Sequence, residues 1–99
     1  MRESAIEARL REGVARIGGR AYKFVSPGND GVPDRLVCLP GGTVIFVETK
    51  APGKTPRPLQ RRQLDLLCAL GNEVEVLSSK DAVDAFIQKW VERVGVPGI

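Results

Sequence analysis

Three residues in this chain are placed to do chemistry together: Asp34, Glu48 and Lys50. Asp34 closes the stretch Gly31-Val32-Pro33-Asp34, and Glu48-Thr49-Lys50 begins fourteen positions later. Between them lie two apolar runs, Leu36 to Leu39 and Val44 to Val47, separated by Pro40-Gly41-Gly42. Strand-like runs joined by proline and paired glycines predict a β-hairpin. With those three residues as its loop, Leu39 pairs with Thr43, and counting back sets Asp34 opposite Glu48. Opposed residues share a sheet face, with Cβ atoms about 4.5–5.5 Å apart. Alternation puts Lys50 on the face of Glu48. Two carboxylates and an ammonium then converge at the end of the hairpin.

Such a patch suits a hard divalent cation. Mg²⁺ takes oxygen ligands, commonly one or two carboxylates with waters and substrate phosphate. Asp34 and Glu48 supply the carboxylates, and the backbone carbonyl of Thr49 is a candidate third ligand. A cation held there lowers the pKa of a bound water and stabilises charge on a phosphodiester under attack. Lys50 could orient that water or neutralise the transition state. A plain cross-strand Asp/Glu pair relieved by a lysine is the structural alternative. Opposed like charges destabilise a sheet, however, and here they flank an apolar strand.

Other candidates surround this core. Gln60 shares a helix face with Leu64 and Leu67 and is expected to project toward the sheet near Lys50; otherwise it is a solvated first-turn residue. Glu7 flanks an apolar helical stripe and could reach the same pocket, or pair with Arg11 one turn on. Lys54, Arg57, Arg61 and Arg62 cluster just after the proposed active strand. Basic residues beside a metal site fit phosphate-backbone contacts, which dominate nucleic-acid affinity. As a solvated helix start they would be unfavourable, because positive charge opposes the dipole there.

The elements that position these residues follow from periodicity. Ile6, Leu10, Val14 and Ile17 predict a helix over 3–17, ended by Gly18-Gly19. Ala21 to Val25 reads as a strand with Tyr22 and Phe24 on one side, and 26–31 as a loop. The strand Val44 to Val47 is apolar on both faces and is expected to be central and covered on both sides. Pro58 suits the first turn of a helix running to Leu70. Glu73 to Leu77 alternates as a half-exposed strand. Ser78-Ser79-Lys80-Asp81 resembles a helix start, and Val83, Phe86, Ile87, Trp90, Val91 and Val94 mark one face of a closing helix. The order α-β-β-β-α-β-α predicts an α/β sandwich around a mixed sheet.

Ninety-nine residues make one domain, 1–99, able to bury roughly two-thirds of its unfolded surface. A net charge of +3 favours a polyanionic partner only because the basic residues cluster. The absence of histidine excludes His-based triads, His-ligated zinc and imidazole catalysis. Cys38 and Cys68 lack metal-ligand spacing and read as small buried hydrophobes in a reducing compartment. The polar start, Met1-Arg2-Glu3-Ser4, does not resemble a signal peptide, and no apolar run reaches membrane-spanning length. A cytosolic protein is expected.

These residues also carry a resemblance. Ile6-Glu7, Lys23-Phe24-Val25-Ser26-Pro27-Gly28, Gly31-Val32-Pro33-Asp34-Arg35, Phe46-Val47-Glu48-Thr49-Lys50-Ala51-Pro52-Gly53-Lys54, Pro58-Leu59-Gln60 and Leu70-Gly71 occur in the order found in VRR-NUC domains. That family is a branch of the PD-(D/E)XK phosphodiesterases. Pro-Asp…Glu-x-Lys by itself is a weak signal, whereas the ordered set from Glu3 to Phe86 is specific. The resemblance implies a restriction-endonuclease-like αβββαβ core, here with an added C-terminal helix. It also implies hydrolysis of DNA phosphodiesters with Mg²⁺ or Mn²⁺. In its terms Asp34 and Glu48 are metal ligands, Lys50 the catalytic lysine, Gln60 a helper, and Glu7 an acidic residue from the first helix. Free-standing domains of this length resemble phage or prophage proteins and dimeric Holliday-junction resolvases. The function implied is thus a homodimeric endonuclease acting on branched DNA, as in junction processing or DNA repair. A monomeric flap-type nuclease and a catalytically silent DNA-binding module are the alternatives; the second should have lost Asp34, Glu48 or Lys50, and none is lost.

Overall fold

The computed structural model describes residues 1–95. Its elements are α1 (Glu3–Arg16), β1 (Arg20–Lys23), β2 (Arg35–Leu39), β3 (Thr43–Thr49), α2 (Pro58–Ala69), β4 (Glu73–Leu77) and α3 (Lys80–Val94). The four strands form one sheet in the order β1-β2-β3-β4. The first three run antiparallel, and β4 joins β3 in parallel through the α2 crossover. Parallel neighbours need such a crossover, because a hairpin reverses the chain. The order of elements expected from periodicity is the one observed.

The hairpin forms where Pro40-Gly41-Gly42 sets it. Gly41 and Gly42 hold φ of 88° and 87°, a region that glycine enters without steric cost. Leu39 pairs with Thr43, and the ladder runs back to Arg35 opposite Val47. It stops there, so Asp34 lies one residue beyond β2 while Glu48 and Thr49 remain within β3. The first strand starts and ends earlier than its composition suggests: it covers Arg20–Lys23, and Val25 is exposed.

One sheet face is packed by α1 and α3. Ile6, Leu10 and Val14 meet Val37, Leu39, Ile45, Val47 and Leu77, with Val83, Phe86 and Trp90 from α3. Ile87, Val91 and Val94 also pack against this core, half-buried, and Ile87 and Val91 line a cleft beside Gly13 and Arg16 of α1. Ser79 caps that helix by accepting the Ala82 N–H at 3.0 Å, and Gly95 ends it in the left-handed region.

The opposite face is covered less. Leu64 is buried where α2 packs on β4 beside Val74 and Val76. Farther along the sheet, Val44 is 44 % exposed and Phe46 half-buried. The expectation that β3 would be covered on both sides therefore fails. The α2 helix packs on β4, leaving the face over β3 to an aromatic pair. Phe24 and Phe46 meet edge to face with centroids 5.6 Å apart. Tyr22 is exposed and Phe24, just past the end of β1, is half-buried. Cys38 is half-buried and Cys68 exposed; the second is no core residue, because it lies toward the solvent edge of α2.

Candidate active site

Asp34 is held by its backbone from both sides. Its carbonyl accepts the Phe24 N–H at 2.9 Å, and its own N–H donates to Glu48 Oε1 at 3.2 Å. The side chain then continues the ladder where the backbone leaves it. Oδ1 accepts the Thr49 N–H at 2.8 Å, and Oδ2 accepts the Thr49 hydroxyl at 2.5 Å. The register derived from the turn is therefore correct, and the two carboxylates are near enough for the Asp34 charge to act on Glu48. Pairing ends at Arg35, and this releases the Asp34 carboxylate toward Thr49. The Thr49 contacts observed to Asp34 come from its N–H and hydroxyl.

The loop ahead of Asp34 is fixed against α2. Gly31 sits at φ +88°, and a Cβ there would lie 2.9 Å from the Leu59 carbonyl oxygen. Only glycine meets both demands. Gln63 adds a long contact to the Asp30 carbonyl at 3.4 Å, and Pro33 is fully buried.

Glu48 and Lys50 flank Asp34 on the β3 side. Glu48 is 3 % exposed, and its Oε2 lies 3.3 Å from Lys50 Nζ. Lys50 is tied to β4 through its N–H, which donates to the Leu77 carbonyl at 2.9 Å. From the other side comes α1. Carboxylate oxygens of Glu3, Glu7 and Asp34 all lie within 4.8 Å of one another. Glu7 does not pair with Arg11; it pairs with Arg35, whose terminal nitrogen is 3.0 Å from Oε1. Glu3 escaped the sequence reading although it precedes Glu7 by four residues, the spacing that puts two side chains on one helix face.

The electrostatics match a crowded acidic site. Burial raises the Asp34 carboxyl above its ordinary 3.8, opposed by both Thr49 hydrogen bonds and reinforced by the Glu7 charge. Burial also raises Glu48 above 4.5, with the Asp34 charge adding and Lys50 opposing. Desolvated carboxylates held close together are costly when ionised. An all-oxygen donor set of this kind fits a hard divalent cation.

The remaining expectations divide. Gln60 is half-buried, but its Oε1 accepts the Arg57 N–H at 2.9 Å. It thus satisfies an amide at the start of α2, and no hydrogen bond joins it to Lys50 among the described residues. Lys54, Arg57, Arg61 and Arg62 are all exposed, in the loop before α2 and in its first two turns. Only Arg61 has an ionic neighbour among the described residues, Asp65 at 3.8 Å.

Comparison with known proteins agrees with this geometry. No family model matches the chain. A solved structure described as a VRR_NUC domain superposes with a TM-score of 0.82 at 33 % identity, covering 87 % of this chain and 94 % of that one. The fold is thus the four-stranded α/β fold of VRR-NUC domains. A protein named "Putative nuclease p44", from Acyrthosiphon pisum secondary endosymbiont phage 1, is 59 % identical over 81 residues, 82 % of this chain and 87 % of the relative. The chain belongs to the VRR-NUC family.

Proposed function

We propose that the protein is a metal-dependent DNA endonuclease, one domain over 1–99, that acts as a homodimer on branched duplex DNA in the cytosol of a bacterial or phage-infected cell. The observation that carries this reading is the placement of Asp34, with Glu48 and Lys50 on one side and Glu7 on the other. Bound Mg²⁺ or Mn²⁺ would supply Lewis acidity toward the phosphate and a more acidic water. Asp34 and Glu48 are the assigned ligands, with the Thr49 carbonyl as a further oxygen and Glu7 completing the acidic wall. The Lys50 ammonium neutralises charge developing on the phosphodiester. Gln60 is assigned to the site's margin, where it orders the start of α2. Lys54, Arg57, Arg61 and Arg62 contact the DNA backbone beside it.

The homodimer follows from the substrate's symmetry: cutting opposed strands of a four-way junction needs two sites related by a twofold axis. The dimer is also supported by exposed apolar side chains: Leu59 and Leu66 on α2, Leu70 at its C-cap, and Tyr22 and Val44 on the open sheet face. Incubation with four-way, flap and linear duplex DNA, with Mg²⁺ or Mn²⁺ and with EDTA as control, tests the reading. Paired, symmetric, metal-dependent nicks in the four-way junction are expected. Cutting of flaps alone by a monomer would replace it with a flap-type nuclease, and DNA binding without cutting with a silent module.

A further inference from the structure

Like-charged carboxylates within 4.8 Å repel one another, and a glutamate on a surface helix has rotamers that carry it into water. Arg35 prevents this for Glu7. Its Nε lies 3.1 Å from Glu7 Oε1, and a terminal nitrogen lies 3.0 Å from the same oxygen. The other terminal nitrogen donates to the Ala21 carbonyl at 3.2 Å. The guanidinium, with its side chain only 14 % exposed, therefore links α1, β1 and β2 at the residue next to Asp34. Its planar fork of five donors permits this double duty, which a single ammonium does not. Because both donors take Oε1, Glu7 Oε2 is free of protein donors among the described residues.

We propose that Arg35 is a positioning residue for the metal site: it holds Glu7 by one oxygen and presents the other to the cation beside Asp34. The proposal rests on the metal-dependent reading above. It predicts the sign of an effect that charge alone would reverse. A guanidinium near a cation repels it, so a residue that merely balanced charge would, on removal, leave the metal bound more tightly. Releasing Glu7 has the opposite result. Partners that orient a ligand change metal affinity by about 10–100-fold.

The test is Mn²⁺ binding to the metal-free protein, followed by electron paramagnetic resonance. Wild type is compared with Arg35→Gln, Arg35→Lys, Glu7→Gln and the double variant Glu7→Gln/Arg35→Gln. Unfolding in EDTA is recorded for each. Arg35→Gln should raise the Mn²⁺ dissociation constant by about 10-fold or more. Arg35→Lys should fall between it and wild type. The double variant should bind no more weakly than Glu7→Gln, because the two residues act through one contact. Unchanged or tighter binding by Arg35→Gln, or additive losses in the double variant, overturns the proposal. If Arg35→Gln does not fold, Arg35→Lys decides: weakened binding by a folded protein supports the role, and wild-type affinity overturns it. Wild-type protein that binds no Mn²⁺ and cuts no DNA would remove the nuclease reading too. Wild-type binding and cutting, matched by Arg35→Gln, would remove only the role of Arg35.

Discussion

Replacing Asp34 with asparagine should stabilise the metal-free protein while abolishing its response to divalent cations. Both Thr49 contacts survive the change: the asparagine oxygen accepts the Thr49 N–H, and its amide donates to the hydroxyl, whose own proton can rotate away. Charge is what differs. Carboxylate oxygens of Glu3, Glu7 and Asp34 lie within 4.8 Å of one another, where two unit charges repel by about 3.5 kcal/mol at an effective dielectric near 20. Glu3 is exposed, and solvent screening brings the net gain to about 1 kcal/mol. In a domain of this size that is roughly 4–8 °C in Tm. Wild type at Mn²⁺ one hundred times its Kd gains about 2.7 kcal/mol, and the variant should gain almost none. Circular-dichroism melts of both proteins, in EDTA and in Mn²⁺, read all four quantities. An Asp34→Asn protein that melts below wild type in EDTA, or gains as much from Mn²⁺, would refute the reasoning.

The other predictions are as follows. Asp34 and Glu48 titrate above their ordinary 3.8 and 4.5, so between those values and the raised ones the folded chain holds more protons than the unfolded one. Their contribution to metal-free stability is present at the acidic side and lost as pH rises through the raised values; chemical unfolding across pH should show a smaller loss in Asp34→Asn than in wild type. Removing Arg57, Arg61 and Arg62 together should weaken DNA binding and flatten its salt dependence by about 0.9 in slope per lost phosphate contact, and an unchanged slope would make the cluster a solvated face. Gly31→Ala meets both a positive φ and the Leu59 carbonyl, so it should cost about 1–3 kcal/mol in denaturant unfolding; wild-type stability would show that the loop is not braced by α2. Sedimentation should give about twice the 10.7 kDa chain mass, and Leu66→Glu/Leu70→Glu should return it to one.

The parts of this architecture that are local in sequence are readable from it. Pro40-Gly41-Gly42 fixes the register of β2 on β3, and the apolar stripe of α1 marks its buried face. What the sequence does not carry lies where local rules end. Asp34 opposite Glu48 follows from counting the register back from the turn, but ladder pairing stops at Arg35 and the Asp34 side chain binds Thr49, which no local rule specifies. Glu7 reaches the pocket, as its place beside the apolar stripe allows, but its partner is Arg35 and not the helical neighbour Arg11, because a guanidinium from β2 reaches it with two donors. Gln60 was read from its helix face, whereas the unsatisfied amide at the start of α2 claims its oxygen. Glu3 does not show in the apolar stripe of α1, although its spacing from Glu7 is in the sequence.

Cleavage of an end-labelled four-way junction by wild type, Glu48→Ala and Lys50→Ala, with Mn²⁺ binding measured on the same preparations, tests the central claim most directly. Wild type should cut in Mg²⁺ or Mn²⁺ and stop in EDTA. Glu48→Ala should lose both metal binding and cutting, and Lys50→Ala should bind metal yet fail to cut. Undiminished cleavage by Glu48→Ala, or cleavage by wild type in EDTA, would contradict the account.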